Sequence, residues 1–339
     1  MLVKFAIEPD AIDDSGKASA HIKRLEKQWA YCGILAFPPF EDRSSIHTKV
    51  ASLQQGPSKS WTTLWEQVIK SRKNTNAYRW LSMNEKANFS WEKILTCDDL
   101  GRHSDKFEVA IVKESRAELL GIPDGEGKYC GDVEGIRLSE IDMSEKFKRA
   151  EVLGKGHIEI DTSVDALWKE RFQSLAQHSK DVVIVDQHAL VHDDNIAGLC
   201  RFLKYLDRDS NGCNVTIYSA PRKLRQDRKE TVSDRRENIK KELKDMVAYL
   251  NASGINNIDV RLRGQKGFSV YAHDRHIRFD NNIFKIGRGM DVFNFGVVKR
   301  RTDFTHILDH AVSDSKEYDL GKKAHKIADF AISIGMPTP

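Results

Sequence analysis

Val182-Val183-Ile184-Val185 is the stretch of sequence that decides the fold class. Four apolar residues in a row are typical of a strand that is buried on both faces of a sheet. A helical pattern follows over residues 196–206, and a second strand pattern lies at residues 215–218. Thr231 opens another helical pattern, after which residues 258–262 alternate as a third strand. This β-α-β-α-β order predicts an α/β fold in which helices cover a sheet.

The length of 339 residues predicts two domains, at roughly 150 residues per domain. Gly154-Lys155-Gly156 is the best candidate for a hinge between them. We therefore predict a separate N-terminal α/β domain over residues 1–153, whose role the sequence does not reveal. A linker over residues 154–162 and a second α/β domain over residues 163–339 follow. Hydrophobic residues make up 40% of the chain, which is enough for two cores and excludes a disordered protein.

Helical and strand patterns support the prediction of an N-terminal α/β domain. Ile22, Leu25 and Trp29 share one face of a predicted helix that Gly33 ends. A short strand pattern follows immediately. A second strand is predicted at residues 107–112, and a helix is predicted over residues 136–153.

The N-terminal sequence predicts a cytoplasmic protein. The apolar residues at the start of the chain meet Glu8 and Asp10 before the core of a signal peptide could form. No apolar run approaches the roughly 18 residues that a membrane-spanning helix needs.

The cysteine spacing predicts reduced thiols. The cysteines are Cys32, Cys97, Cys130, Cys200 and Cys213. They are odd in number and widely scattered, and no CxxC pair occurs. The pattern therefore favours neither a disulfide framework nor a zinc module.

The charge distribution suggests an anionic partner. Between Arg222 and Arg301 there are 20 Lys/Arg and 10 Asp/Glu, a local charge of +10, whereas the whole chain carries +4. A basic segment in an otherwise acidic chain suits nucleic acid or lipid headgroups, although a solvated charged surface gives the same pattern. Lys299, Arg300 and Arg301 are the candidate nucleic-acid contacts at the end of this segment.

The candidate catalytic residues lie in the stretch His273-Asp274-Arg275-His276-Ile277-Arg278-Phe279-Asp280. His273 and Arg275 are two residues apart, so in a strand they point to the same face. An imidazole beside a fixed guanidinium suits phosphodiester chemistry, because the imidazole attacks phosphorus while the cation neutralises the phosphate oxygens. Asp280 follows at the end of the strand. Gly287, Arg288 and Gly289 are candidate phosphate-binding residues, because the chain can approach a phosphate closely there.

The spacing of His273, Arg275, Asp280 and Gly287 resembles the HxKx4Dx6GSxN signature of the phospholipase D superfamily. Residues 273–293 are also similar to the phospholipase D-like C-terminal domain of MIT-domain proteins. Similar HDR-type domains occur in prokaryotic proteins, including ones linked to defence against mobile DNA. The resemblance covers residues 178–315 and does not extend to the N-terminal domain.

The resemblance implies a mixed sheet flanked by helices. It also implies a phosphodiesterase or nuclease activity that needs no metal or other cofactor. His273 would form a phosphohistidine, with Arg275 and Asp280 completing the catalytic set. Phospholipase D catalysis uses two histidines, and this chain has one clear motif. The resemblance therefore implies a homodimer with a composite site, as in the small bacterial nucleases of the superfamily.

Three departures from the signature leave other functions open. Arg275 stands where the family has Lys, Arg288 where it has Ser, and Met290 where it has Asn. The alternative is a catalytically inactive module that binds nucleic acid or anionic membrane lipid, as the MIT-associated domains bind membranes. A third hypothesis is structural, in which the N-terminal domain recruits a partner protein and the second domain only dimerises.

Other histidines have weaker claims to a site. His276 is predicted on the surface, facing away from His273. His306 and His310 are predicted on one face of a helix, with structural roles. His188 and His192 follow the apolar strand at residues 182–185, at the strand end where α/β proteins often place their sites.

Overall fold

The protein folds into two compact units, Leu2–Val152 and Leu153–Pro339, the second of which includes Met1. The structure is a computed structural model that describes residues 1–12, 18–37, 40–53, 58–70, 78–83, 89–220, 231, 234, 237–238, 241, 245, 254–263, 268, 275–307, 317 and 330–332. Each unit contains a mixed sheet flanked by helices, which confirms the predicted α/β fold class.

The first unit has a mostly parallel sheet in the order β3-β2-β1-β4-β6-β5. Its strands are β1 (Val3–Ile7), β2 (Gly33–Phe37), β3 (Arg79–Ser82), β4 (Val109–Val112), β5 (Lys128–Cys130) and β6 (Val133–Arg137). Neighbouring strands run parallel except at the edge, where β5 pairs with β6 in the antiparallel sense. The all-buried side chains of β2 and β4 explain their near-continuous apolar sequences.

Helices accompany this sheet. They are α1 (Ala18–Cys32), α2 (Phe40–Ser52), α3 (Ser58–Lys70), α4 (Cys97–Gly101), α5 (Glu114–Leu120) and α6 (Glu145–Leu153). Short 3-10 turns occur at Pro9–Ala11, Trp91–Lys93 and Leu138–Met143. Ile22, Leu25 and Trp29 are at most 1% exposed on one face of α1, which confirms the predicted amphipathic helix.

The second unit has a larger sheet in the order β14-β10-β9-β8-β11-β12-β13-β7. Its strands are β7 (His157–Ile158), β8 (Asp181–Val185), β9 (Cys213–Ser219), β10 (Ile255–Leu262), β11 (His276–Phe279), β12 (Asn282–Ile286), β13 (Thr302–Ile307) and β14 (Phe330–Ile332). β8, β9 and β10 run parallel, and every other neighbouring pair is antiparallel. The sheet is thus mixed, and its parallel part follows from the predicted strand–helix–strand order.

Helical segments of this unit lie between its strands. They are α7 (Val164–Leu167), a π-helical stretch Trp168–Phe172, α8 (Gln173–His178), α9 (Asp193–Asp209) and a 3-10 turn Gly289–Phe293. Thr162 followed by Asp165 is a capping-box pattern that predicts the start of a helix. The helix begins one residue later than this pattern predicts, because the Ser163 hydroxyl accepts the Ala166 N–H.

The core of the second unit is built around Phe172, which is fully buried. Its ring contacts five other phenylalanine rings, those of Phe202, Phe279, Phe284, Phe293 and Phe304. These rings come from a helix, three strands and the Gly289–Phe293 turn. The cluster therefore fixes that turn relative to the hairpin formed by β11 and β12.

Three sequence predictions differ from the structure. The predicted linker contains β7, which pairs with β13 through Ile158 and Thr302. The helix predicted over residues 136–153 is instead the end of β6, a 3-10 turn and α6. The helical spacing of the apolar residues at positions 320, 324, 327, 328, 331 and 334 also predicts a C-terminal amphipathic helix. Residues 330–332 instead form β14, which pairs with β10, and the other positions lie outside the described residues. Among the described residues, no helix is both long and apolar enough to cross a membrane.

The prediction that all five cysteines are reduced is wrong for one pair. Cys97 and Cys130 form a disulfide, while Cys32, Cys200 and Cys213 are free thiols. The two bonded residues lie at the start of α4 and the end of β5, which pack together in the first unit. Tertiary packing brings them together across 33 positions of sequence, and no spacing rule signals this pair.

Candidate functional site

The candidate site lies at the carboxyl edge of the second sheet. β8 and β9 end there at Val185 and Ser219, and β12 ends there at Ile286. β11 runs in the opposite direction and begins at this edge, so Arg275, directly before it, lies beside the residues that follow β8. Side chains that follow the carboxyl ends of parallel strands are the usual material of α/β sites.

Asp186 is a buried carboxylate at this edge of the sheet. It follows β8 directly, and its side chain is 1% exposed. Its Oδ1 accepts the His188 N–H at 2.8 Å, and its Oδ2 accepts the Met290 N–H at 2.9 Å. Its Oδ1 also lies 3.6 Å from the Nε of Arg275. A carboxylate held by two backbone amides thus positions the guanidinium from one side.

The contact with Asp186 leaves part of the Arg275 side chain exposed. Its side chain is 26% exposed, and its terminal nitrogens Nη1 and Nη2 have no partner among the described residues. The 3.6 Å separation between its Nε and Asp186 Oδ1 is an ion-pair contact rather than a hydrogen bond. A guanidinium whose donors stay available can bind a phosphate in bidentate fashion.

Gly289 makes the close packing at this edge feasible. Its φ is +59°, a left-handed conformation that glycine adopts without strain. An added Cβ would overlap Asp186 Oδ2 and lie 2.7 Å from the Cδ of Arg275. The absence of a side chain at Gly289 therefore lets Asp186, Arg275 and the Gly289–Phe293 turn meet.

His188 places an imidazole near this pair. Burial lowers the pKa of His188, and the charge of Arg275 lowers it further against the opposing effect of Asp186. The ring is therefore neutral near pH 7 and able to accept a proton. Its Nε2 lies 2.8 Å from the side-chain nitrogen of Gln187, and its ring lies 5.4 Å from that of His192.

No family model matches the chain, and no curated protein matches it. Among the described residues, no group of three or more His, Cys, Asp and Glu side chains is placed to hold a metal ion.

The structure brings some of the predicted site residues together and separates others. Arg275 and Gly289 are in contact range, and His273 lies outside the described residues. Asp280 lies at the opposite end of β11, roughly 16 Å along the strand from Arg275. Its Oδ1 accepts the N–H groups of Lys180 and Asp181, each at 3.0 Å.

This placement gives Asp280 a structural position, away from Arg275. Its φ is +47°, in the two-residue turn between β11 and β12. Its two hydrogen bonds tie that turn to the start of β8. Aspartate tolerates such left-handed turn positions, so the turn explains this residue type without a catalytic role.

The backbone amides of Gly287 and Arg288 do not form the expected phosphate cradle. The Gly287 N–H donates to the Asp303 carbonyl at 3.1 Å, and the Arg288 N–H donates to Thr302 Oγ1 at 3.0 Å. The Arg288 guanidinium pairs with Asp291, with Nε 2.7 Å from Oδ2. These partners leave anion binding at this edge to side chains, chiefly that of Arg275.

Lys299, Arg300 and Arg301 are exposed in the segment before β13. Because β13 begins at the same edge at which β12 ends, this basic segment borders the site. Arg301 Nε lies 3.2 Å from Glu159 Oε1, and Lys299 Nζ lies 5.8 Å from the centre of the Phe295 ring. Both contacts are at the surface, so they are readily exchanged for contacts with a ligand.

The prediction that His276 is a surface residue is wrong. His276 is 4% exposed, and its Nε2 lies 3.3 Å from Glu317 Oε1. Arg278, on the same face of β11, donates to the same carboxylate through Nε and Nη2. Glu317 thus covers a face of β11 that the alternation of side chains alone would predict to be exposed. His306 is also buried, in β13 rather than in a helix, and stacks on Phe284.

The Glu317 cluster predicts a pH dependence of stability. Burial alone would raise the pKa of Glu317, but the hydrogen bonds and charges of His276 and Arg278 outweigh burial and lower it below 4.5. A carboxyl with a lowered folded-state pKa stabilises the fold above its unfolded pKa, and this contribution is lost as the pH falls through the folded value. The free energy of unfolding, measured with urea, should therefore decline as the pH drops below about 4.5.

Substitution of Glu317 tests this assignment. Glu317→Gln should lower the free energy of unfolding at pH 7 by about 2 kcal/mol and flatten its decline in acid. The matched control is Glu159→Gln, at an exposed pair with Arg301, which should cost under about 0.5 kcal/mol. Equal, small losses for both variants would contradict the assignment.

Asp186 is not among the residues predicted for the site, and His188 is predicted only to follow a strand at which sites often lie. The available signal was position, since both residues directly follow a strand of four apolar residues. Their proximity to Arg275 could not be read from the chain, because it depends on β11 pairing with β8 across about 90 residues.

Proposed function

We propose that the second unit is a phospholipase D-like phosphodiesterase that acts on nucleic acid and needs no metal ion. The observation that carries this proposal is the Arg275 guanidinium, held by buried Asp186 at a sheet edge that Lys299, Arg300 and Arg301 border. A guanidinium placed beside the reacting phosphate stabilises a phosphorane-like transition state as its charge develops. The motif that contains Arg275 supplies His273 two residues earlier in the sequence.

The reaction is a double displacement at phosphorus. The imidazole of His273 attacks phosphorus, a P–N bond forms, and one P–O ester bond breaks. The leaving oxygen takes its proton from a second imidazole, that of His273 in the other subunit of a homodimer. Water then attacks the phosphohistidine, the P–N bond breaks, and the second imidazole takes the proton of the water.

A binding module without catalysis is the second candidate. The Arg275–Asp186 contact and the internally bonded amides of Gly287 and Arg288 favour it, because both reduce the charge stabilisation available to a transition state. In this form the same edge holds a phosphate of nucleic acid or of an anionic lipid headgroup.

Cleavage of end-labelled DNA and RNA oligonucleotides by the full chain and by His273→Ala tests the proposal. The wild-type chain should cleave, and His273→Ala should fold normally and show no turnover. The matched control is His157→Ala, at an exposed histidine of the same unit, which should cleave at the wild-type rate. Equal binding with no cleavage by either protein would favour the binding module, and full cleavage by His273→Ala would place the chemistry outside this motif.

The basic segment gives a separate prediction about binding. If Lys299, Arg300 and Arg301 contact phosphates, oligonucleotide affinity should fall steeply with salt, with a slope of about 0.7–0.9 per phosphate contact. Replacing all three with Ala should reduce both the affinity and the slope. The control is Lys146, Lys148 and Arg149 together replaced with Ala in α6 of the first unit, which should change neither. A flat salt dependence in the wild-type chain would contradict a nucleic-acid partner at this segment.

A further inference from the structure

The first unit contains a cavity of about 740 Å³ at the carboxyl edge of its parallel sheet. β1 lies between β2 and β4, so the chain turns to one side of the sheet after β1 and to the other side after β4. Ligands of open α/β sheets bind at such reversals of strand order, outside the carboxyl ends of the strands. The volume falls within the roughly 300–1,000 Å³ of small-molecule pockets.

One wall of this cavity is fixed by a buried ion pair. Glu8 follows β1 and is 2% exposed. Its Oε1 accepts from Arg116 Nε at 2.9 Å, and its Oε2 accepts the Lys113 N–H at 2.9 Å. Arg116 also donates to the carbonyl oxygen of Ile94. The segment after β4 is therefore held in place before any ligand arrives, which lowers the entropic cost of binding.

Two ammonium groups converge on a single exposed carboxylate in the same cavity. Lys113 Nζ lies 3.2 Å from Asp10 Oδ2, and Lys49 Nζ lies 3.6 Å from Asp10 Oδ1. The Asp10 side chain is 56% exposed. The Asp10 carboxylate thus already lies between the two lysines, on a side chain exposed enough to turn toward water. Trp91 lines the cavity as well, with 6% of the residue exposed.

We propose that this cavity binds a small phosphate ester whose phosphate replaces the Asp10 carboxylate between Lys49 and Lys113. A phosphate has a higher charge than the carboxylate and more acceptor oxygens, so it satisfies both ammonium groups better than Asp10 does. The remainder of the ester lies in the cavity toward Trp91. This site is independent of the phosphodiester site in the second unit and requires no catalysis there.

Titration calorimetry of the full chain with AMP and with inorganic phosphate tests this site. Binding should be saturable, and Lys49→Ala and Lys113→Ala should each weaken it at least about tenfold. Asp10→Asn should strengthen it severalfold, because it removes the competing carboxylate. The matched controls are Lys148→Ala and Asp132→Asn, at exposed residues of the same unit away from the cavity, and neither should change the affinity.

Three results would overturn the proposal. They are absence of saturable binding at millimolar probe, binding that Lys49→Ala and Lys113→Ala leave unchanged, and weaker binding by Asp10→Asn. Arg275→Ala separates this site from that of the second unit, since it should leave AMP binding intact. Loss of AMP binding in Arg275→Ala alone would assign the ligand to the other site.

Discussion

Arg275→Ala is expected to lower kcat/KM for phosphodiester cleavage at least about 100-fold, equivalent to roughly 2.7 kcal/mol of transition-state stabilisation. Arg275 carries a partly exposed guanidinium whose Nε lies 3.6 Å from the buried Asp186 carboxylate at the edge of the sheet. In the proposed reaction, its loss would remove the positive charge that faces the phosphate oxygens. Steady-state cleavage of a labelled oligonucleotide measures the effect, and circular dichroism confirms that the variant is folded.

Two companion variants show whether this loss belongs to phosphate chemistry. Arg275→Lys restores the residue of the phospholipase D signature and keeps the charge, so it should preserve or raise activity. Arg208→Ala removes an exposed arginine that pairs with Asp209 in the same unit, and it should leave kcat/KM unchanged. Undiminished cleavage by Arg275→Ala would remove Arg275 from the site.

Gly289→Ala should both destabilise the second unit and abolish its activity. The new Cβ overlaps Asp186 Oδ2 and crowds Arg275, so the buried carboxylate loses the Met290 N–H or the Gly289–Phe293 turn shifts. We expect a loss of about 3 kcal/mol in the free energy of unfolding, since a buried polar group is displaced and the left-handed backbone is strained. Urea unfolding and oligonucleotide cleavage measure the two effects.

Gly156→Ala is the matched control for Gly289→Ala. Gly156 also has a positive φ, +95°, but nothing lies within 4 Å of an added Cβ. It should therefore cost only the backbone strain, about 1 kcal/mol, and leave cleavage intact. If the two variants lose the same stability and both keep activity, the close packing of Gly289 against Asp186 has no part in the site.

The sequence predicted those parts of the fold that local pattern determines. Residues 182–185 lie within β8 and residues 196–206 lie within α9, because an apolar run and a helical stripe each point to one kind of element. Asp234 accepts the N–H and hydroxyl of Thr231, as the predicted capping pattern requires. The rest of that helix lies largely outside the described residues.

Contacts between distant parts of the chain account for the failures. His276 is buried because Glu317, 41 residues later, covers its face of β11. β7 is a strand because Thr302 pairs with Ile158 across a separation that no local pattern reports. The helix predicted over residues 136–153 failed because Ile136 suits a strand equally well, and pairing with β4 decides between them.

The sequence predicted only part of the candidate site, because the rest depends on contacts between distant parts of the chain. The motif spacing identified Arg275 and also Asp280, which the structure places at the far end of the strand. Gly289, a candidate for its close backbone approach, does lie beside Arg275. Asp186 and His188 directly follow a predicted strand, but their relation to Arg275 exists only once β8 and β11 are paired. Sequence spacing predicts which face of a strand a residue lies on, whereas the pairing of strands decides which residues lie beside it.

Cleavage of a labelled oligonucleotide in excess EDTA, by protein treated beforehand to remove divalent ions, tests the central claim most directly. In the proposed mechanism Arg275 supplies the charge stabilisation and His273 the nucleophile, so the rate with EDTA should equal the rate with added Mg²⁺. His273→Ala should show no cleavage in either condition. Cleavage that EDTA abolishes and Mg²⁺ or Mn²⁺ restores would contradict the account.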